Sequence, residues 1–153
     1  MDLKKRPYFL IAILLVLLSL FLRYQFLPFQ NGDLLMNLDW FIFLQQNGYK
    51  GLANSEFSNY SPPYLYLLLI LSFIKGELPP AIGLKIIPSL FDLLSAFSIY
   101  KIARLKFKSD MSFLLAAGFS TLPTVMLNSS GWGQVDSMYG SLLLLCLYLL
   151  ITE

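Results

Sequence analysis

The chain has 153 residues, of which 57% are hydrophobic and only 13% charged, about half the charged share of a typical soluble domain. The mean hydropathy is +0.66, the net charge is +2, and the sequence contains no histidine and one cysteine. These values exclude a disulfide framework, a Cys/His zinc site and a histidine-based triad, and they leave no basic face for nucleic acid. They predict a single all-α, multi-pass transmembrane domain over residues 1–153.

The first predicted element is a membrane-spanning helix over residues 8–29, which form an apolar block long enough to cross a bilayer. Three basic residues at positions 4–6 precede it, so the positive-inside rule places the N-terminus in the cytoplasm. The block is too long for a signal peptide and has no cleavage site after it, so we expect an uncleaved span. Arg23, near its end, is expected to extend its long side chain to the far interface.

Residues 30–62 are polar and predict the first extracytoplasmic loop. Leucine and phenylalanine residues recur at helical spacing between Asp33 and Gln46, which predicts an amphipathic helix lying on the outer membrane face. The next apolar run, 64–74, would cover only about 18 Å as a helix, too little for a perpendicular span.

The direction of the next helix decides how the run 64–74 is interpreted. An apolar block over 81–102 ends in the densest basic cluster of the chain, at Lys101, Arg104, Lys106 and Lys108. That end should be cytoplasmic, so the block runs inward and 64–74 must begin and end outside, as a re-entrant or interfacial helix. The alternative is a tilted full span, which would invert everything after it.

Two further spans are predicted, an outward one over 111–127 and an inward one over 137–152, joined by an outer loop at 128–136. The fold class is therefore a polytopic helical bundle with about four transmembrane helices, one re-entrant or interfacial helix and one amphipathic loop helix. It would reside in the plasma or inner membrane of a bacterium, or in the endoplasmic reticulum of a eukaryote.

Two carboxylates, Asp33 and Asp39, follow the first span and are candidates for a general base. Their spacing does not place both on one helical face, and the alternative is a helix cap and a solvated surface charge. Tyr60 precedes the rigid Pro62-Pro63 corner, where the alternative is an ordinary helix start with an interfacial tyrosine.

Polar residues within or between the later spans form the second group of candidates. Asp92 lies inside a span and needs a partner there, and Lys85, two turns earlier, is a distant candidate. Asp92 either lines a substrate cavity or makes a buried structural hydrogen bond. The connector 128–137 carries Trp132, Gln134 and Asp136 together with two glycines that allow close approach of a ligand.

Four segments together resemble the GT-C glycosyltransferases, and most closely the GPI mannosyltransferase-like integral membrane proteins. The segments are Gly32-Asp33 with Trp40, the motif FSNYSPPYLYLL at 57–68, the stretch 85–92 and the motif LPTVMLNSSGWGQVDS at 122–137. Proteins of this class are polytopic and use polyprenyl-phosphate sugars on the non-cytoplasmic side. The family's members are several-fold longer, so the resemblance covers only their N-terminal portion.

The resemblance implies transfer of a hexose, with mannose the candidate sugar, from a polyprenyl-phosphate donor to a lipid or glycan acceptor. Asp33 is the implied base, with Asp39 in reserve, and no cofactor or metal is indicated. The implied partners are the donor, the acceptor, membrane lipids and a second chain supplying the remaining helices. The implied substrate-binding residues are Tyr60, Lys85, Asp92, Trp132, Gln134 and Asp136. The alternatives are half of a transporter or flippase and a non-catalytic membrane assembly subunit.

Overall fold

A computed structural model describes residues 6–54, 56–74 and 79–153, and every regular element within these ranges is helical. The elements in chain order are α1 (Pro7–Phe26), α2 (Gly32–Asn47), a 3₁₀ segment (Gly48–Ala53), α3 (Pro62–Phe73), α4 (Pro80–Arg104), α5 (Ser109–Ser120), α6 (Pro123–Met126), a π segment (Leu127–Gly131) and α7 (Asp136–Thr152). The all-helical fold class is confirmed. Lys4 and Lys5, on which the predicted orientation partly depends, and residues 75–78 lie outside the described residues.

Proline marks the start of four of these helices. Pro7, Pro62, Pro80 and Pro123 each stand at the first helical position, where the missing N–H costs nothing and the fixed φ angle suits the helix. The predicted helices at 8–29, 64–74, 81–102 and 137–152 are each confirmed to within a few residues.

The predicted span over 111–127 is not one continuous helix, because the helix breaks before Pro123. The α5 helix ends at Ser120, and Leu122 adopts an extended conformation with ψ of 128°, as residues before proline do. The chain then resumes as α6 and the π segment after a bend of 55°.

Two helices, α1 and α4, are long and apolar enough to cross a membrane, and α5 with its bent continuation makes a third if the pair forms one span. The α3 and α7 helices, with 12 and 17 residues, are shorter apolar helices. Two or three of the four predicted spans therefore have the length and composition of a span.

Small side chains dominate the contacts among the long helices. The α5 helix packs against both α1 and α4, and α7 packs on α4. The residues buried in these contacts are mostly alanine and serine: Ala12, Ser19, Ser95, Ser98, Ala103, Ser112, Ala116, Ala117 and Ser141. Helices in membranes associate through such small residues, while large apolar side chains remain on the outside. Here the exposed ones include Leu14, Leu93, Leu143 and Leu150, each more than 60% exposed.

A second core of large apolar side chains lies at one end of the bundle, where α2 and α3 pack together against the first half of α4. Its members include Leu34, Trp40, Leu44, Tyr64, Leu68 and Leu84. We call this end of the bundle the Asp33 end. The opposite end, where α4 finishes and Arg6 lies 3.6 Å from Asp110, is called the Arg104 end.

Candidate functional site

Two of the predicted site residues, Asp33 and Gln134, form a direct hydrogen bond. Asn31 caps α2 by accepting a bond from the backbone N–H of Leu34, which leaves the Asp33 carboxylate unused in the first turn. Gln134, 101 residues further along the chain, donates from Nε2 to Oδ2 of Asp33 at 2.6 Å. No described residue donates to the other carboxylate oxygen of Asp33, which lies on the surface at the Asp33 end.

Gly133 allows the connector to approach α2 this closely. Its φ of +67° lies in the left-handed region, and a Cβ there would stand 2.8 Å from Cδ1 of Leu34. The carbonyl of Gly133 accepts a buried hydrogen bond from Nδ2 of Asn37 at 3.4 Å. Asn37 was not among the site residues predicted from the sequence, although it is the one amide among the apolar positions of the predicted loop helix. Together Gly133 and Asn37 hold Gln134 over Asp33.

Tyr60 lies beside these groups in an aromatic cluster. Its ring centroid is 5.2 Å from that of Trp40 and 5.3 Å from that of Tyr64. Partial burial, and then the nearby carboxylates of Asp136 and Asp33, raise the pKa of Tyr60. Tyr60 is therefore a neutral phenol at physiological pH and can donate a hydrogen bond to a ligand.

The first turn of α7 completes the cluster. Asp136 is exposed at the start of α7, and the hydroxyl of Tyr139, one turn later, is hydrogen-bonded to the hydroxyl of Ser61. This bond joins α7 to the Pro62-Pro63 corner. Trp132 is 38% exposed in the connector just before Gly133, where its indole is accessible to a ligand. Asp39 is exposed further along α2 and makes no side-chain hydrogen bond with the described residues.

Lys85 does not contact these groups, because it is fully buried against the end of α1. Its Nζ donates to the carbonyl oxygens of Phe26, Leu27 and Phe29 at 2.8, 3.2 and 2.5 Å. A cation is favourable at a helix C-terminus, where carbonyl groups lack partners within the helix. These three bonds use all the donors of the ammonium group and fix the turn that leads to Asn31 and Asp33.

Asp92 pairs with Arg23, so the prediction that Arg23 extends to the far interface is wrong. Nη1 of Arg23 lies 2.8 Å from Oδ2 of Asp92, and both side chains are largely buried. Nη1 also donates to the hydroxyls of Ser129 and Ser130, and Nε donates to Ser19. Inside a bundle an arginine lowers its desolvation cost by pairing with a carboxylate. The sequence pointed to this pairing only in that two separate predicted spans carry opposite charges.

The site residues thus fall into two groups. Asp33, Tyr60, Gln134, Asp136 and Trp132 lie at the surface of the Asp33 end, while Asp92 and Lys85 are buried in the bundle with partners of their own. Over residues 6–54, 56–74 and 79–153, no three acidic or cysteine side chains come close enough to share a metal ion. The surface group offers a carboxylate acceptor, an amide, a phenol donor and an indole ring, which are groups suited to binding the hydroxyls and faces of a sugar.

No known family model, no curated protein and no solved structure matches this chain.

Proposed function

We propose that this chain is the N-terminal portion of a GT-C-like membrane glycosyltransferase that transfers a hexose from a polyprenyl-phosphate sugar to a lipid or glycan acceptor. The observation that carries the proposal is the hydrogen bond between Gln134 and Asp33, with Tyr60 and Asp136 beside it. Residues from three distant parts of the sequence converge there on one exposed carboxylate.

In the proposed mechanism Asp33 is the general base. The amide of Gln134 holds one carboxylate oxygen, and the other oxygen accepts the proton of the acceptor hydroxyl. The hydroxyl oxygen forms a bond to the anomeric carbon as the bond from that carbon to the phosphate oxygen breaks, so the configuration inverts. The lipid phosphate leaves with the bonding electron pair. The Tyr60 phenol and the Trp132 indole bind the sugar at the edge of the site.

We propose that this enzyme has the topology predicted from its sequence, with four spans, a cytoplasmic N-terminus and the Asp33 end outside. The contact between Asp33 and Gln134 supports it, because both residues must then lie on the same side of the membrane. The chain between Asp33 and Gln134 must therefore cross the membrane an even number of times. The α4 and α5 helices supply two crossings, which favours a re-entrant or interfacial α3 over a third crossing.

The test is sugar transfer from radiolabelled polyprenyl-phosphate mannose in membranes that contain this chain. Asp33→Asn should lower the rate by about 10²- to 10⁴-fold, the usual contribution of a general base. Asp39→Asn makes the same charge change on the same helix and should leave the rate within about twofold. Gln134→Ala should lower the rate less than Asp33→Asn. Full transfer by Asp33→Asn would contradict the proposal, whereas no transfer by the unaltered chain alone would show that the helices of the remaining portion are required.

The alternative of a transporter or flippase half relies on Asp92 and Asp136 to bind an ion or substrate. Arg23 already neutralises Asp92, and serine hydroxyls surround the pair, which argues against a free ion site at that position. The assembly-subunit alternative predicts that Asp33→Asn has no effect on transfer by a partner enzyme, so the same experiment distinguishes it.

A further inference from the structure

A long groove runs along the outside of the bundle between α1 and α4, with α5 as its floor. It extends over the length of α1 from Arg6 to Arg23 and has a volume of about 590 Å³. Its walls are apolar between the two ends, with Phe9, Val16, Phe97 and Phe113 among the lining residues. The ion pair of Arg23 and Asp92 closes it at one end.

The length and lining of the groove indicate what fits it. From Arg6 to Arg23 the groove is about 25 Å long at a rise of about 1.5 Å per residue. Its polar groups lie at the two ends and its walls between them are apolar, which suits an extended hydrocarbon chain.

A second, shallow cavity adjoins the open end of the groove and is basic. Its volume is about 560 Å³, and Lys106 and Lys108 line it together with Arg6, Ser109 and Asp110, which also line the groove. The two lysines form no ion pair within the described residues, whereas Arg6 lies near Asp110. Lys101 and Arg104 add positive charge at the same end but line neither cavity, and Glu153 adds one negative charge there.

We propose that the groove and the basic cavity together bind one anionic phospholipid. The phosphate headgroup lies in the cavity between Lys106 and Lys108, and one acyl chain extends along α1 towards the ion pair of Arg23 and Asp92. Clusters of basic residues beside a membrane-spanning helix attract anionic lipids, and the apolar groove that opens into this cluster supplies the chain site. The site lies at the opposite end of the bundle from Asp33, so the proposal does not depend on the proposed enzymatic function.

The test is native mass spectrometry of the purified full chain in detergent with added dioleoyl phosphatidylglycerol or dioleoyl phosphatidylcholine. The two lipids have the same chains and differ in headgroup charge. We expect preferential retention of phosphatidylglycerol by the unaltered chain. The double substitution Lys106→Gln/Lys108→Gln should lower this preference by about tenfold, because two charges near the headgroup are lost. The matched double substitution Lys101→Gln/Arg104→Gln should preserve the preference.

A second pair of variants tests the chain site. Ala96→Phe fills the groove and should reduce retention of both lipids, while Leu90→Phe on the same helix, outside the groove, should not. Circular dichroism of each variant establishes that the helices remain folded. Equal retention of the two lipids by the unaltered chain would overturn the proposal. So would an equal loss of the preference for phosphatidylglycerol in Lys106→Gln/Lys108→Gln and in Lys101→Gln/Arg104→Gln. A dimer that disappears in Ala96→Phe would assign the groove to a second copy of the chain and would overturn it as well.

Discussion

At the scale of single residues, the same polar groups serve different purposes according to the partner each one meets. Asp33 and Asp92 are both carboxylates near apolar surface, but Asp33 lies exposed with one amide donor and Asp92 lies buried against an arginine. The ammonium group of Lys85 donates to three backbone carbonyl oxygens and has no N–H left to donate to a ligand. Of these three groups, only Asp33 is accessible to a ligand.

Tyr60 provides a residue-scale prediction that needs no substrate. Burial and the charges of Asp136 and Asp33 raise its pKa, so it should titrate above its ordinary value of about 10. Asp33→Asn and Asp136→Asn should each lower the pKa of Tyr60, and Asp39→Asn should leave it unchanged. The measurement is NMR titration of ¹³Cζ-labelled tyrosine, with Tyr60→Phe to identify the signal. An unchanged pKa in both Asp33→Asn and Asp136→Asn would contradict the proximity of the three groups.

The sign of the associated stability change follows from the direction of the shift. A phenol whose pKa is raised by folding favours the folded state while it remains neutral. Its contribution is fully present below the unfolded pKa of about 10 and is lost as the pH rises through the folded pKa. In the variant Tyr60→Phe, the free energy of unfolding should therefore decrease less steeply as the pH rises above about 10.

At the scale of elements, the ion pair of Arg23 and Asp92 joins α1 to α4 and also holds the π segment through Ser129 and Ser130. Ser19 extends the contact by donating to the backbone carbonyl of Ser120, at the end of α5. The break before Pro123 and the π segment are thus supported by side chains from α1. This arrangement positions the connector that carries Gln134.

The pair should show strong coupling when its members are substituted. Asp92→Leu alone leaves the arginine buried without its partner and should lower the free energy of unfolding by about 3–5 kcal/mol. Arg23→Met with Asp92→Leu removes both charges and should recover most of that loss. The measurement is denaturant unfolding in detergent, monitored by circular dichroism. The free energy of unfolding of the double variant could instead fall by the sum of the decreases in Asp92→Leu and Arg23→Met alone. That result would show that the two charges do not stabilise each other.

At the scale of the whole molecule, the proposed orientation depends on where charge and apolar length fall along the chain. Five basic residues lie at the Arg104 end, with Asp110 and Glu153 beside them, namely Arg6, Lys101, Arg104, Lys106 and Lys108. Asp33, Asp136 and the basic Lys50 lie at the other end. This asymmetry supports the proposal that the Arg104 end faces the cytoplasm.

Cysteine labelling tests that orientation. In a Cys146→Ser background, Lys50→Cys places a thiol at the Asp33 end, and Lys106→Cys places one at the Arg104 end. A membrane-impermeant maleimide added to intact cells should label position 50 and leave position 106 unlabelled until the membrane is permeabilised. Labelling of both positions from outside would indicate that α3 crosses the membrane.

The sequence by itself determined the helical class and, to within a few residues, the starts of α1, α2, α3, α4 and α7. The apolar block lengths, proline at the first helical position and the polar connectors are local signals that neighbouring residues carry. It also determined that Asp92 needed a partner, because a carboxylate in a predicted span is costly alone.

Only the tertiary structure decided which partner each polar group has. Arg23 pairs with Asp92, Lys85 binds the end of α1, and Gln134 reaches Asp33 from 101 residues away. These contacts depend on how α1, α4 and α5 pack, and on a positive φ at Gly133 that brings the connector against α2. Spacing along the chain reports which residues share a helix face but does not report which helices become neighbours, so the pairings appear only in the folded bundle.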